Sequence, residues 1–201
     1  YSRPRTNGVI AINIREDDEV VGVRLTNGHN EIILANRNGR AVRFDESLVR
    51  CMGRVSTGVR GMMLDAGDDE LVGMVIVNDT EKETIMVVSE NGYGKRSQIE
   101  DYRKTNRGAK GVKTLSITEK TGRLVAIKIV TDENDLMIIN KSGILIRLKV
   151  ADVRIMGRAT QGVRLINLTK KNDVIASVCK VMSSELEEMV EEQSRKDFAQ
   201  S

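Results

Sequence analysis

One pattern recurs along this chain every 51 to 53 residues, and the fold has to be built from repetitions of it. A glycine in a polar turn stands at Gly39, Gly92 and Gly143, and an arginine follows four residues later at Arg43, Arg96 and Arg147. A second arginine precedes a Gly-Val pair by four residues: Arg54 with Gly58-Val59, Arg107 with Gly111-Val112, Arg158 with Gly162-Val163. Gly8-Val9 is a truncated earlier copy. Several independent features sharing one period near 50 mark a stacked or radial repeat fold, in which each unit buries its faces against its neighbours.

Within a period the pattern is that of short strands. The first complete copy opens with residues 32–35 and 41–44, two apolar runs separated by Asn38-Gly39, a hairpin signal whose central residues are expected to take positive φ. A loop with one helical turn over residues 47–52 leads to Gly53-Arg54 and Gly58-Val59. Residues 62–64 and 71–77 then flank an acidic turn. The second copy offers strands at 84–89, 94–97, 112–117 and 124–130, and the third at 136–140, 144–148, 163–168 and 174–181. Residues 9–14 and 20–25 read as strands of a partial repeat. The expected division is therefore 1–30 (partial), 31–83, 84–135 and 136–181, about three and a half repeats of four strands. Four strands per repeat is the content of a propeller blade, so the fold class is all-β and propeller-like. Residues 182–201 carry six acidic and two basic side chains and read as a helical or disordered acidic tail.

Composition narrows the function. The chain has one histidine, no Trp and two cysteines, Cys51 and Cys179, without metal-ligand spacing, which read as reduced thiols. His29 falls in a turn, which leaves no histidine-based triad or metal cluster and no metal site. No phosphate-loop motif follows a strand, and Tyr93 and Tyr102 have no base beside them, so no catalytic residue is expected. No apolar run approaches the length of a bilayer span, and no signal peptide is evident. Starting at Tyr1 rather than Met, the chain reads as a piece of something longer. Net charge is +3, and because the tail is acidic, the body is more basic than that average.

The basic residues carry the functional signal. Arg43, Lys95, Arg96 and Arg147 lie on or near the second strand of successive repeats. Arg54, Arg107 and Arg158 lie in successive loops with Arg60, Lys110, Lys113 and Arg164 close by. A repeat fold must array equivalent residues along one edge, and an arc of cations suits a DNA backbone. The structural alternative is that the strand arginines pair with neighbouring blades.

Asn38-Gly39-Arg40-Ala41-Val42-Arg43-Phe44, Met52-Gly53-Arg54 through Gly58-Val59-Arg60-Gly61, Asn91-Gly92-Tyr93-Gly94-Lys95-Arg96 and Met156-Gly157-Arg158 through Gln161-Gly162-Val163 resemble the C-terminal domain of the A subunit of bacterial DNA gyrase. The resemblance runs through residues 1–181. It implies a six-bladed β-pinwheel whose basic rim binds, bends and wraps double-stranded DNA, supporting ATP-dependent negative supercoiling by a whole cytoplasmic type II topoisomerase of two A and two B subunits. Implied partners are DNA, the rest of the gyrase A subunit, plus the B subunit, with neither a membrane nor a small-molecule substrate. No cofactor is implied for this part, ATP and Mg2+ belonging to the whole enzyme and the nucleophilic tyrosine to the absent N-terminal part. The family's box Gln-Arg-Arg-Gly-Gly-Lys-Gly has its nearest counterpart at Thr105-Asn106-Arg107-Gly108-Ala109-Lys110-Gly111, which keeps only Arg, Gly, Lys and Gly. The related domain of topoisomerase IV and a propeller-like interaction scaffold are the alternatives. Because interaction hot spots favour Trp, Tyr and Arg, a chain with five aromatics offers a scaffold few anchors.

Overall fold

A computed structural model describes residues 5–168 and 173–183. The expected tail helix lies outside the described residues. Eleven strands appear among those described, in the order β1 (Glu31–Asn36), β2 (Arg40–Asp45), β3 (Leu71–Val77), β4 (Thr84–Ser89), β5 (Tyr93–Gln98), β6 (Val112–Lys113), β7 (Leu124–Val130), β8 (Asn134–Asn140), β9 (Leu145–Lys149), β10 (Val163–Arg164) and β11 (Ile175–Met182). Short 3-10 turns at Glu46–Leu48, Ile99–Asp101 and Val150–Asp152 follow β2, β5 and β9.

The hairpins form where Asn-Gly and its counterparts place them, but with different turn chemistry. Gly39 alone takes positive φ (75°), whereas Asn38 does not. Three residues, not two, separate the strands, and the Asn36 side chain accepts from the Arg40 N–H at 2.7 Å, doing part of the turn's hydrogen bonding. Asn140 does the same for Ile144 at 2.7 Å.

Every sheet is antiparallel, and the orders are β3-β1-β2-β6, β10-β5-β4-β7 and β11-β8-β9. The inner strands β3, β7 and β11, with Val21, Gly22 and Arg24 beside them, line a cavity of about 170 Å³. The outer strand of a sheet comes from the next repeat: β6 of the second repeat completes the first sheet, and β10 of the third completes the second. Four strands per blade is thus correct for two sheets, but three of the four come from one period and the fourth from the period after it. Residues 62–64 form no strand, and the expected strands at 112–117 and 163–168 shorten to two residues each. Residues 9–14 and 20–25 also form no strand. Val23 and Leu25 are 76% and 97% exposed, because β-branched sequence alone does not hold a strand that finds no partner.

The alternation of each strand explains the layering. On β4, Ile85 and Val87 point into one core with Ile33, Ala35, Val75 and Tyr102 of the first sheet and its seam. Met86 and Val88 point the other way, into a second core with Leu136, Ile138, Val150 and Val178. All six residues of β4 are buried, as expected of a strand sandwiched on both faces. Each fully buried Val, Ile or Leu contributes roughly 1.5–3 kcal/mol. The third sheet has no outer strand among the described residues, and Leu145 on its β9 edge stays 53% exposed.

A candidate nucleic-acid interface

Strand order sets what each basic residue can do, because the perimeter is built from β6, β10 and the loops that precede them. The strand arginines Arg43 and Arg96 point into the seams between sheets. Arg43 is 8% exposed, with Nε 2.5 Å from the Glu31 carboxylate and one terminal nitrogen donating to the carbonyls of Ile99 (2.8 Å) and Tyr102 (3.0 Å). Those carbonyls belong to the 3-10 turn of the next repeat and its cap. Arg96 repeats the arrangement one blade on: it donates to Thr84 Oγ1 and to the Val150 carbonyl, both at 3.1 Å, and pairs with Asp132 at 2.7 Å. Arg147 pairs with Asp135 at 2.5 Å; its side chain is 35% exposed, and no further repeat faces it among the described residues. Burial alone would raise the Glu31 carboxyl, but hydrogen bonds and charge from Lys104 and Arg43 outweigh it and hold the group below the usual carboxylate value. Asp135 is likewise pulled down against burial by Ser183 and Arg147.

Lys95 is wholly buried, its Nζ donating to the Gly157 carbonyl at 2.6 Å and to Ser97 Oγ at 3.2 Å. Equivalent positions on the other sheets are Val42 and Ile146. Burial pushes the Lys95 ammonium down to about 8, with a smaller upward pull from Asp101 and a downward push from Arg158. Folding therefore disfavours the charged form, and the unfolded chain, titrating near 10.5, binds more protons between those values. Stability should accordingly rise as pH climbs from about 8 toward 10.5. In Lys95→Met this increment should vanish while the protein stays folded at pH 7; urea unfolding of both proteins at pH 7 and 9.5 checks it, and parallel pH dependence in the two would refute it.

The loop arginines face the perimeter but are half tied down. Arg107 donates to the carbonyls of Leu48 (2.8 Å) and Arg60 (3.1 Å). Arg158 donates to those of Asp101 (2.9 Å) and Lys113 (3.0 Å), the same pair of places one repeat later. Lys110 pairs with Asp65 at 2.8 Å, and Arg164 reaches the Tyr93 hydroxyl at 2.9 Å and stacks over its ring. The side chains of Arg54, Arg60 and Lys113 are exposed and make no hydrogen bond or ion pair among the described residues. The structure thus gathers Arg54, Arg60, Arg107, Lys110, Lys113, Arg158 and Arg164 at the perimeter and sends Arg43, Lys95 and Arg96 inside. A further series, Arg50, Arg103 and Arg154, is also exposed. It keeps the chain's own period, yet an alignment anchored on the hairpin and loop glycines passes over it.

Among the described residues, no three His, Cys, Asp or Glu side chains come together as a metal-binding group, and no helix is long and apolar enough to cross a membrane. Tyr102 is buried with its hydroxyl 2.5 Å from Thr114 Oγ1, and burial raises it to about 12, which suits packing.

Residues 1–27, 30–78, 83–131 and 134–179 match the sequence profile of the family described as "DNA gyrase C-terminal domain, beta-propeller", one segment per repeat. The chain belongs to this family. It is 47% identical over 194 residues to the DNA gyrase A subunit of Staphylococcus aureus (strain MRSA252), a match covering 96% of the chain and 22% of that protein. The chain therefore spans about a fifth of the length of the curated relatives it matches. Among solved structures, the C-terminal domain of DNA topoisomerase IV superposes with a TM-score of 0.84 at 29% identity, covering 96% of this chain and 61% of that one. A DNA gyrase A C-terminal domain superposes at 0.78, also 29% identical, covering 88% and 59%. For a gyrase C-terminal domain, the exchanged strands place the loops around Arg107 and Arg158 directly on the outer edge of the preceding blade.

Proposed function

We propose that this chain is the part of a DNA gyrase A subunit that binds and bends double-stranded DNA around its perimeter. The observation that carries the reading is the perimeter itself: cationic side chains recur there at one period, exposed at Arg54, Arg60, Lys110, Lys113 and Arg164 and half-buried at Arg107 and Arg158, whose guanidinium groups tie their loops to carbonyls of the previous repeat. Regularly spaced guanidinium and ammonium groups neutralise phosphates without reading bases, so affinity should depend steeply on salt and little on sequence. A curved array of such contacts favours curved DNA, the contacts offsetting the bending energy.

In this reading the chain is non-catalytic and works in the cytoplasm with the rest of the A subunit, together with a B subunit. ATP and Mg2+ would be held elsewhere in that assembly. The close superposition on a topoisomerase IV domain favours that enzyme as the second reading.

Fluorescence anisotropy of a labelled random-sequence duplex across a salt series tests the core of this. At about −0.9 per phosphate, the slope of log affinity against log salt should reach roughly −4 or steeper. Absence of binding even at low salt would refute the proposal for this chain.

A further inference from the structure

Arg50, Arg103 and Arg154 belong to none of the seam or loop hydrogen-bond networks. They lie 53 and 51 residues apart, and each sits two positions past the end of a 3-10 turn, next to the cap residue Val49, Tyr102 or Val153. The caps are extended (φ −99°, −99° and −87°), so successive side chains alternate sides. Tyr102 and Val153 turn into the core, and the arginine beside each turns out to solvent.

The backbone just beyond is pinned. Lys104 forms a parallel bridge with Arg43 and Ile155 with Arg96. The Thr105 N–H donates to the Arg43 carbonyl and the Met156 N–H to the Arg96 carbonyl, each at 2.8 Å. Arg103 therefore stands on the seam between the first and second sheets and Arg154 on the seam between the second and third, with Arg50 at the equivalent place before the first. None of the three guanidinium groups makes a hydrogen bond or ion pair among the described residues, and the exposed carboxylates of Glu100, Asp101 and Asp152 on the neighbouring turns do not pair with them. Arg107 and Arg158, by contrast, have given two donors each to carbonyls.

We propose that Arg50, Arg103 and Arg154 form a ladder of DNA-phosphate contacts, Arg103 and Arg154 on the two seams and Arg50 at the same position of the first repeat, and supply the charge that the buried strand arginines cannot. This rests on the DNA-binding reading above. A guanidinium with its full fork free on a fixed backbone engages two phosphate oxygens at once and loses little order in doing so. Equal placement in every repeat gives phosphate contact without base readout, and the seams carry the contacts while the buried arginines hold the seams together.

The test compares three proteins on the same duplex: wild type, R50A/R103A/R154A, and a charge-matched control, K82A/K141A/K180A, whose lysines are exposed and contact none of the perimeter cations. The arginine variant should lose about 2 to 3 from the magnitude of the salt slope, near 0.9 for each contact. The control should lose less than about 1, and all three should melt at the same temperature. If wild type binds with a steep slope and the arginine variant keeps it, the ladder is wrong and the DNA reading stands. If the arginine variant melts at a markedly lower temperature, these residues are structural and the ladder is again wrong. If wild type does not bind, both readings fall.

Discussion

Arg43→Ala should lower folding stability by about 3–5 kcal/mol, the range seen when one partner of a buried ion pair is removed. The loss has two parts. Glu31, whose side chain is 13% exposed, would keep only Lys104 as a cationic partner, whereas hydrogen bonds and charge from both now hold its carboxyl below the usual value against burial. The carbonyls of Ile99 and Tyr102 would lose their donor in a seam that also buries the Tyr102 ring, and each buried acceptor left unpaired costs about 1–3 kcal/mol. Because Arg43 ties the first sheet to the turn of the second repeat, the two sheets should loosen together. Chemical denaturation of the variant gives the magnitude, and DNA binding measured on the folded fraction separates the two possible roles of the residue. A variant as stable as wild type but with a shallower salt slope would return Arg43 to the DNA surface.

That expectation inverts what the position of Arg43 in the sequence suggests, and the reason is physical. A repeat period specifies which residues occupy equivalent places, but not whether those places face solvent or a neighbour. Arg43, Arg96 and Arg147 keep the period as faithfully as Arg50, Arg103 and Arg154, and only the sheet order separates Arg43 and Arg96, turned into the seams, from the second series, turned outward. An acidic or hydroxyl residue at Glu31, Thr84 and Asp135, twelve residues before each strand arginine, was the available signal that these arginines have partners at home. The hairpins and their glycines were legible because they are local: an Asn or Ser before the turn and a glycine with positive φ suffice. Strand exchange was not, because Gly111-Val112-Lys113 sits inside the second repeat by sequence and in the first sheet by hydrogen bonding. Composition gives no hint of that pairing, and what enforces it is the absence of a side chain on a glycine packed against another strand.

Gly162→Val tests that enforcement and should have the second large effect. Gly162 has φ +77°, and a Cβ there would lie 2.4 Å from the Gly94 carbonyl oxygen and 2.8 Å from its carbon, both backbone atoms that cannot swing away. Left-handed backbone costs a residue other than glycine about 1–2 kcal/mol, more for a β-branched one, and forced overpacking adds about 1–3 kcal/mol. Two residues of ladder between β10 and β5 cannot offset that, so the exchanged strand should detach from the second sheet while β5-β4-β7 stays paired. Detachment would free the loop that Arg158 ties to the Asp101 and Lys113 carbonyls and would release Arg164 from Tyr93. Amide hydrogen exchange should report it directly: the Leu165 N–H, which donates to the Gly92 carbonyl at 2.8 Å, should lose protection while the amides of β4 keep theirs. Gly111→Val, with a Cβ 2.4 Å from the Ala41 carbonyl oxygen, should do the same to the first sheet. Position 58 supplies the contrast within the same chain: Gly58 shares the motif and the positive φ, but nothing lies within 4 Å of its added Cβ. Gly58→Val should therefore show only the backbone penalty; if it proves as damaging as Gly162→Val, the close approach of exchanged strand and sheet is not what selects glycine there.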